Sequence, residues 1–297
     1  MTETAPRTPQ NTPATDPAPP RSGSRAWRKL RANKGAVVGF GIVLFFTFLA
    51  IAAPFLPIAD PMQTSWTAIR QAPSAEHWLG TDDIGRDILS RMIWGARASL
   101  MAGVFSVGIA LALGVPFGLL AGYFGGWTDM IISRVTEAFL AMPFLITAIA
   151  LAAFLGPNLT NAMIAIGLSA MPIFIRLTRG QVMAVKQEDY VEGARSIGLG
   201  HWQIMTRYIL PNAFQPILVQ ATLTIATAII AEASLSFLGL GQQPPNPSWG
   251  SMLNTAKNFL TQAPWMAMWP GAAIFLVVIG FNLMGDGLRD ALDPREA

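Results

Sequence analysis

The sequence predicts an all-α, polytopic membrane protein with about six transmembrane helices, and three observations carry that prediction. Of its 297 residues, 52% are hydrophobic and only 12% charged, about half the charged share of a soluble domain. Several uncharged stretches reach the roughly 20 residues that a spanning helix needs. The lysines and arginines fall in blocks between those stretches, as they do when charge sets the orientation of spans. A soluble fold would have nowhere to bury so much apolar surface.

Residues 1–35 read as a disordered, basic tail. Met1 to Pro20 is rich in Pro, Thr and Ala and has no apolar core to offset its ordering entropy. It also lacks the apolar region of a secretory signal. Arg25 to Lys34, RAWRKLRANK, sets Trp27 and Leu30 among cations and predicts an interfacial helix leading into the bilayer. The first transmembrane helix is expected over 36–58, within the uncharged run from Lys34 to Asp60.

Residues 59–97 are expected to form an external loop with an amphipathic helix at 81–93. There Thr81, Asp82 and Asp83 offer caps, and Ile84, Ile88 and Met92 recur at helical spacing. Asp87 and Arg91 stand at i,i+4, the spacing of a helical ion pair. The clustered acids lack the offset bidentate acid of a calcium loop.

The core, 98–290, is expected to hold five more spans. One lies between Arg97 and Asp129, and two between Glu137 and Arg176, divided by the turn GPNLTN at Gly156 to Asn161. The others lie between Arg207 and Glu232 and between Lys257 and Asp286, and 291–297 closes the chain as a tail. Glu137 stands three residues after Arg134, so an ion pair is the expected use of its charge. Glu232 and Asp286 are expected near the ends of their spans, where headgroup water is available.

Positive charge gathers in the N-terminal segment (Arg7, Arg21, Arg25, Arg28, Lys29, Arg31, Lys34), between the fourth and fifth spans (Arg176, Arg179, Lys186, Arg195, Arg207) and at the C-terminus (Arg289, Arg295). With an even number of spans all three lie on one side, which predicts cytoplasmic N and C termini. The net charge of +3 then reflects this bias and an attraction to anionic lipid headgroups rather than a nucleic-acid footprint.

Within the second of those basic segments sits the polar stretch Gln187 to Asn212, QEDYVEGARSIGLGHWQIMTRYILPN. Asp189 and Glu192 have capping-box spacing, and Gly198 stands where a left-handed cap would end a short helix. Val191, Ala194 and Ile197 are expected on its apolar side, with Glu192, Arg195 and Ser196 opposite. Such a helix between spans, at 190–200, is a rigid docking knob facing water.

Chemistry on this chain is not expected. The histidines, His77 and His201, lie outside the spans, and cysteine is absent, so no His/Cys metal site can form. None of Lys29, Lys34, Lys186 and Lys257 follows a glycine, which excludes a P-loop for ATP. A stand-alone secondary transporter would want several ionisable groups at mid-depth, and the sequence does not offer them.

Glu192-Gly193-Ala194, then Gly198, then Leu210-Pro211 resembles the cytoplasmic EAA signature of ABC importer permeases, with Gly193 and Tyr208 as departures. His77 to Leu100, Glu232 to Gly250 (EASLSFLGLGQQPPNPSWG) and Phe281 to Arg295 are similar to further blocks of the second, C-type permease of the dipeptide, oligopeptide, glutathione and nickel group. The resemblance implies a type I importer permease core in a bacterial inner membrane, forming half of a translocation pathway for di- or oligopeptides. It implies a paralogous permease as heterodimer partner, two ATPase subunits and an external solute-binding protein. No cofactor is implied on this chain, ATP and magnesium residing on the ATPases. Tyr190, Glu192, Gly193, Ala194, Arg195, Gly198, Leu210 and Pro211 are the residues implied to couple the chain to an ATPase, Glu192 by holding the helix in register and Arg195 by charged contact. The same architecture importing glutathione or a nickel chelate is the alternative within the class.

Overall fold

The computed structural model describes residues 28–292. Of the tails predicted over 1–35 and 291–297, residues 1–27 and 293–297 lie outside the described residues. After a helical turn at 28–32, α1 (Lys34–Ala52) starts at Asn33, whose side-chain oxygen accepts the Ala36 N–H at 3.1 Å. There follow α2 (Ile88–Phe124), α3 (Gly126–Leu140), α4 (Phe144–Leu155), α5 (Leu159–Val185), α6 (Asp189–Ser196), α7 (His201–Ile204), α8 (Leu210–Phe237), α9 (Trp249–Ala256) and α10 (Trp265–Leu292).

Five helical runs are long and apolar enough to cross a membrane: Lys34–Phe55, Ile88–Phe124, Leu159–Val185, His201–Phe237 and Trp265–Leu292. The remaining predicted span is broken. α3 and α4 meet at a 92° bend, because Pro143 lacks an N–H and pushes Met142 out of the helical region. The 12 residues of α4 reach only about 18 Å, short of a hydrocarbon core about 30 Å thick. The Asn33 side chain donates to Asp290 Oδ2 at 3.0 Å, which places the start of α1 beside the end of α10. Two ends on one side require an even number of crossings, so α3 and α4 together make the sixth.

Two further expectations are corrected. The long helix begins at Ile88, capped by Asp87 through the Ser90 N–H at 2.8 Å. Thr81, Asp82 and Asp83 therefore do not cap it, and no separate amphipathic helix precedes α2. A second short helix opens at His201 after Gly200. It runs through a π-turn at Met205–Ile209 into α8, with Leu210 N–H reaching Met205 O. The wider turn accommodates the missing N–H and the ring of Pro211.

The bundle is held by small residues. On α2, an added Cβ at Gly114, Gly118 or Gly122 would lie 2.6, 2.6 and 2.8 Å from atoms of α5. The two helices thus approach backbone to backbone, as small residues four apart permit in membranes. Around this seam, Ala148 and Ala152 of α4, Ala162, Ala165, Ala170 and Phe174 of α5, and Ala221, Ala228 and Ala231 of α8 form the main core.

Candidate functional site

The polar helix α6 is docked onto the bundle end that carries both described termini. Val191 and Ala194 are buried in a cluster with Leu119 and Tyr123 of α2, Val182 of α5, and Ile204, Met205 and Ile209. A helix of 8 residues is marginal alone, so this burial supplies its stability. Its end is fixed by two hydrogen bonds, Leu199 N–H to Ala194 O at 3.2 Å and Gly198 N–H to Arg195 O at 2.9 Å. Gly198 takes a φ of 78° there, which glycine adopts without penalty.

The beginning of the helix departs from expectation. Glu188 occupies the N-cap without any side-chain bond, and Asp189 is already helical, so the Asp189–Glu192 capping box does not form. Glu192 and Arg195 are exposed. Ile197 was expected beside Val191 and Ala194, but it is 75% exposed. It is the last residue before the turn, and its ψ of 7° takes it off the helical path and away from the core. With Trp202 at 71% and Tyr190 at 44% exposure, it makes an apolar outer surface on a rigid base. Burial, then the Glu188 carboxylate, pushes the Tyr190 phenol above its ordinary value, so that ring stays neutral. Gly193 faces open space, Tyr208 packs at the edge of the buried cluster, and Leu210 and Pro211 open α8.

What ties α6 to the bundle is Tyr123, buried at the end of α2. Its hydroxyl lies 2.8 Å from His201 Nδ1, and its carbonyl accepts from Lys186 Nζ at 2.5 Å. The Arg195 guanidinium and the Lys186 ammonium stand 5.7 and 5.6 Å from its ring centre, within cation–π range. Tyr123, Lys186 and His201 are too far apart in sequence for spacing to have grouped them. Below α6 a groove of about 340 Å³ is lined by Gly122, Asp129, Lys186, Glu192 and Arg195.

At the opposite end the loops make a hydrogen-bonded plate. Asp82 pairs with Arg86 at 2.6 Å and Arg91 at 3.4 Å. Arg91 Nη1 also donates to the carbonyls of Pro61 at 2.9 Å and Pro245 at 3.3 Å. The expected Asp87–Arg91 pair is absent, because Asp87 caps α2 and accepts from His77 Nδ1 at 3.0 Å. Burial, then the Asp82 charge, pushes the Asp83 carboxyl above its ordinary value.

Glu232 corrects another expectation. It is fully buried, accepting from Ser236 Oγ at 2.6 Å and Ser99 Oγ at 3.1 Å. Ser99 in turn accepts the Trp249 N–H at 3.3 Å, so the carboxyl joins α2, α8 and α9 rather than facing headgroup water. Glu137 pairs with exposed Arg134 at 3.0 Å, on α3 ahead of the break rather than within a continuous span.

Residues 114–297 match the family described as the inner membrane component of binding-protein-dependent transport systems. Residues 23–73 match the N-terminal transmembrane domain of oligopeptide transport permease C. The dipeptide transport system permease protein of Alkalihalophilus pseudofirmus is 49% identical over 91% of this chain and 89% of its own. The glutathione transport system permease protein of Pectobacterium atrosepticum is 44% identical over 91% and 90%. Among solved structures, the inward-facing MetNI methionine ABC transporter superposes with a TM-score of 0.57 at 19% identity, over 69% of this chain and 98% of that one. An amino acid ABC transporter gives 0.51 at 17%, over 67% and 92%. These two likenesses establish the fold.

Proposed function

We propose, for a chain that belongs to the inner membrane components of binding-protein-dependent transport systems, that it is a peptide-importing permease driven by ATPases bound at α6. Membership implies separate ATPase subunits and an external binding protein as partners, in a bacterial inner membrane. The finer reading is a heterodimer with a paralogous permease, served by two ATPase subunits, with both termini in the cytoplasm. Solute passes between the two permeases as they switch between inward- and outward-facing states. The chain contributes no catalytic or nucleotide site of its own in this reading, and ATP and magnesium belong to the ATPases.

The observation that carries the coupling role is the exposed apolar surface of Tyr190 on α6, Ile197 at its C-cap and Trp202 on α7, while Val191 and Ala194 of α6 are buried. Apolar surface clustered on a rigid, water-facing element marks a protein contact. Glu192 and Arg195 flank it with charge, Gly198 fixes its end, and Leu210 and Pro211 pass its movement into α8. The substrate class follows from relatives named for dipeptide, di/tripeptide and glutathione transport.

The test is uptake by cells carrying the whole transport system. Peptide import should stop when the ATPase subunits are deleted and survive an uncoupler while ATP is maintained. Uptake that survives loss of the ATPases and collapses with the uncoupler would make the chain a secondary transporter. Thermal shifts of the binding protein with dipeptides, longer peptides, glutathione and nickel chelates assign the solute, and a shift with the nickel chelate alone would overturn the peptide reading.

A further inference from the structure

Two features meet on one side of α5. The first is the break between α3 and α4, where residues 141–143 are all exposed. Non-helical backbone at membrane depth is tolerated only where protein covers it or it lines a water-filled cavity. Broken helices of this kind form the solute sites of several transporter architectures. The second feature is Arg176, about 26 Å along α5 from Leu159. An arginine on a spanning helix faces the bundle interior, a water-filled cavity or, towards the helix end, headgroup water. Yet Arg176 is exposed, and its side chain makes no hydrogen bond or ion pair with the described residues.

The neighbouring charges are already matched. Arg179, one turn on, holds Asp129 of α3 at two points, 2.5 and 2.7 Å, and Arg134 pairs with Glu137. Arg176 and Ala141 border one cleft of about 340 Å³, with Ser133, Thr136 and the Arg134-paired Glu137 on its α3 wall and the Asp129-paired Arg179 beside it. That volume lies in the range of small-ligand sites. Among the described residues, Arg176 is therefore the one charged side chain of the cleft without an ion-pair or hydrogen-bond partner.

We propose that Arg176 is a carboxylate-binding station on the translocation path, taking the C-terminal carboxylate of a passing peptide. A guanidinium meets a carboxylate in two parallel hydrogen bonds, a geometry an ammonium lacks. A carboxylate moved away from water without such a partner is heavily penalised, so the station lowers a barrier that every free peptide must cross. The inference rests on the peptide-import reading above.

The experiment uses the assembled complex with its binding protein in proteoliposomes, with radiolabelled dialanine as the probe. Wild-type uptake is read first, and its absence overturns the peptide reading and this station with it. Given uptake, Arg176→Gln should lower the transport rate about tenfold or more, the usual scale of a lost charged hydrogen bond. Binding-protein affinity and unstimulated ATPase activity should stay unchanged, and Arg176→Lys should recover part of the rate. Wild-type uptake by Arg176→Gln would overturn the station alone. Loss of complex assembly in that variant would overturn it too, making Arg176 an ion-pair partner of the second permease.

Discussion

Gly118→Ala is the smallest change that tests how this bundle is held together. The added Cβ would lie 2.6 Å from the Ile175 carbonyl oxygen, 2.7 Å from Thr178 Cβ and 3.1 Å from Arg179 N. Two of these are backbone atoms that cannot rotate away, so α2 and α5 must part by most of an ångström to restore ordinary contact. A gap of that size forfeits roughly a quarter to a half of each affected dispersion contact. Helix association in a membrane rests largely on that packing, because lipid supplies no hydrophobic drive between helices. The expected cost is about 2 kcal/mol, mid-range for overpacking, which lowers the thermal midpoint by about 5 °C. The nine tryptophans allow the transition to be followed by intrinsic fluorescence of the detergent-purified chain. Gly108→Ala is the control, on the same helix with nothing within 4 Å of the new Cβ. Equal midpoints for the two variants would refute the glycine seam as the support of the bundle.

Other residues give equally sharp expectations. Glu232→Ala strips the acceptor from Ser99 and Ser236 and leaves a cavity, costing about 2–4 kcal/mol. Glu232→Gln keeps shape and hydrogen bonding and should cost less than half as much, and equal losses would mean that the charge itself is needed. Arg91→Met removes the donor to Pro61 and Pro245, so limited proteolysis of the 56–70 and 239–248 loops should accelerate several-fold, and an unchanged digestion pattern would count against the plate. Gly193→Ala meets nothing within 4 Å and should raise helix stability by up to about 1 kcal/mol with uptake intact, whereas lost uptake would show that the outer face needs a bare backbone there.

The sequence made most of the architecture legible because hydrophobic length and charge blocks are local signals. The runs that became α1, α2, α5, α8 and α10 could be seen directly. The break at 141–143 was less visible, since Met142–Pro143 sits in an apolar run where proline is also tolerated inside membrane helices, as at Pro116 and Pro172. The glycine seam of α2 was equally open to inspection, but its meaning depends on which helix lies opposite. At the candidate site, Gly198 announced the end of α6 through a backbone requirement that few residues satisfy. Tyr123, Lys186 and His201 gave no such sign, because their grouping arises only when the ends of α2, α5 and α7 come together. Ile197 was misplaced for a related reason: helical periodicity assumes that the helix continues, and this one stops at the residue in question. Glu232 shows the same limit, since a carboxylate near a span end reads as solvated until the loop from Ser248 folds over it.

The coupling role of α6 is tested most directly by Ile197→Asp in the assembled complex, with ATP hydrolysis and peptide uptake measured in the same proteoliposomes. Ile197 is 75% exposed and belongs to none of the buried clusters, so the chain itself should fold and insert unchanged. A charge placed there can act only through whatever docks on that surface. Binding-protein-stimulated ATPase activity and uptake should fall together by about tenfold or more, as for a charge buried in an interface centre, with insertion and stability as in the wild type. Stimulation and uptake at wild-type levels would contradict the claim that energy enters through this helix.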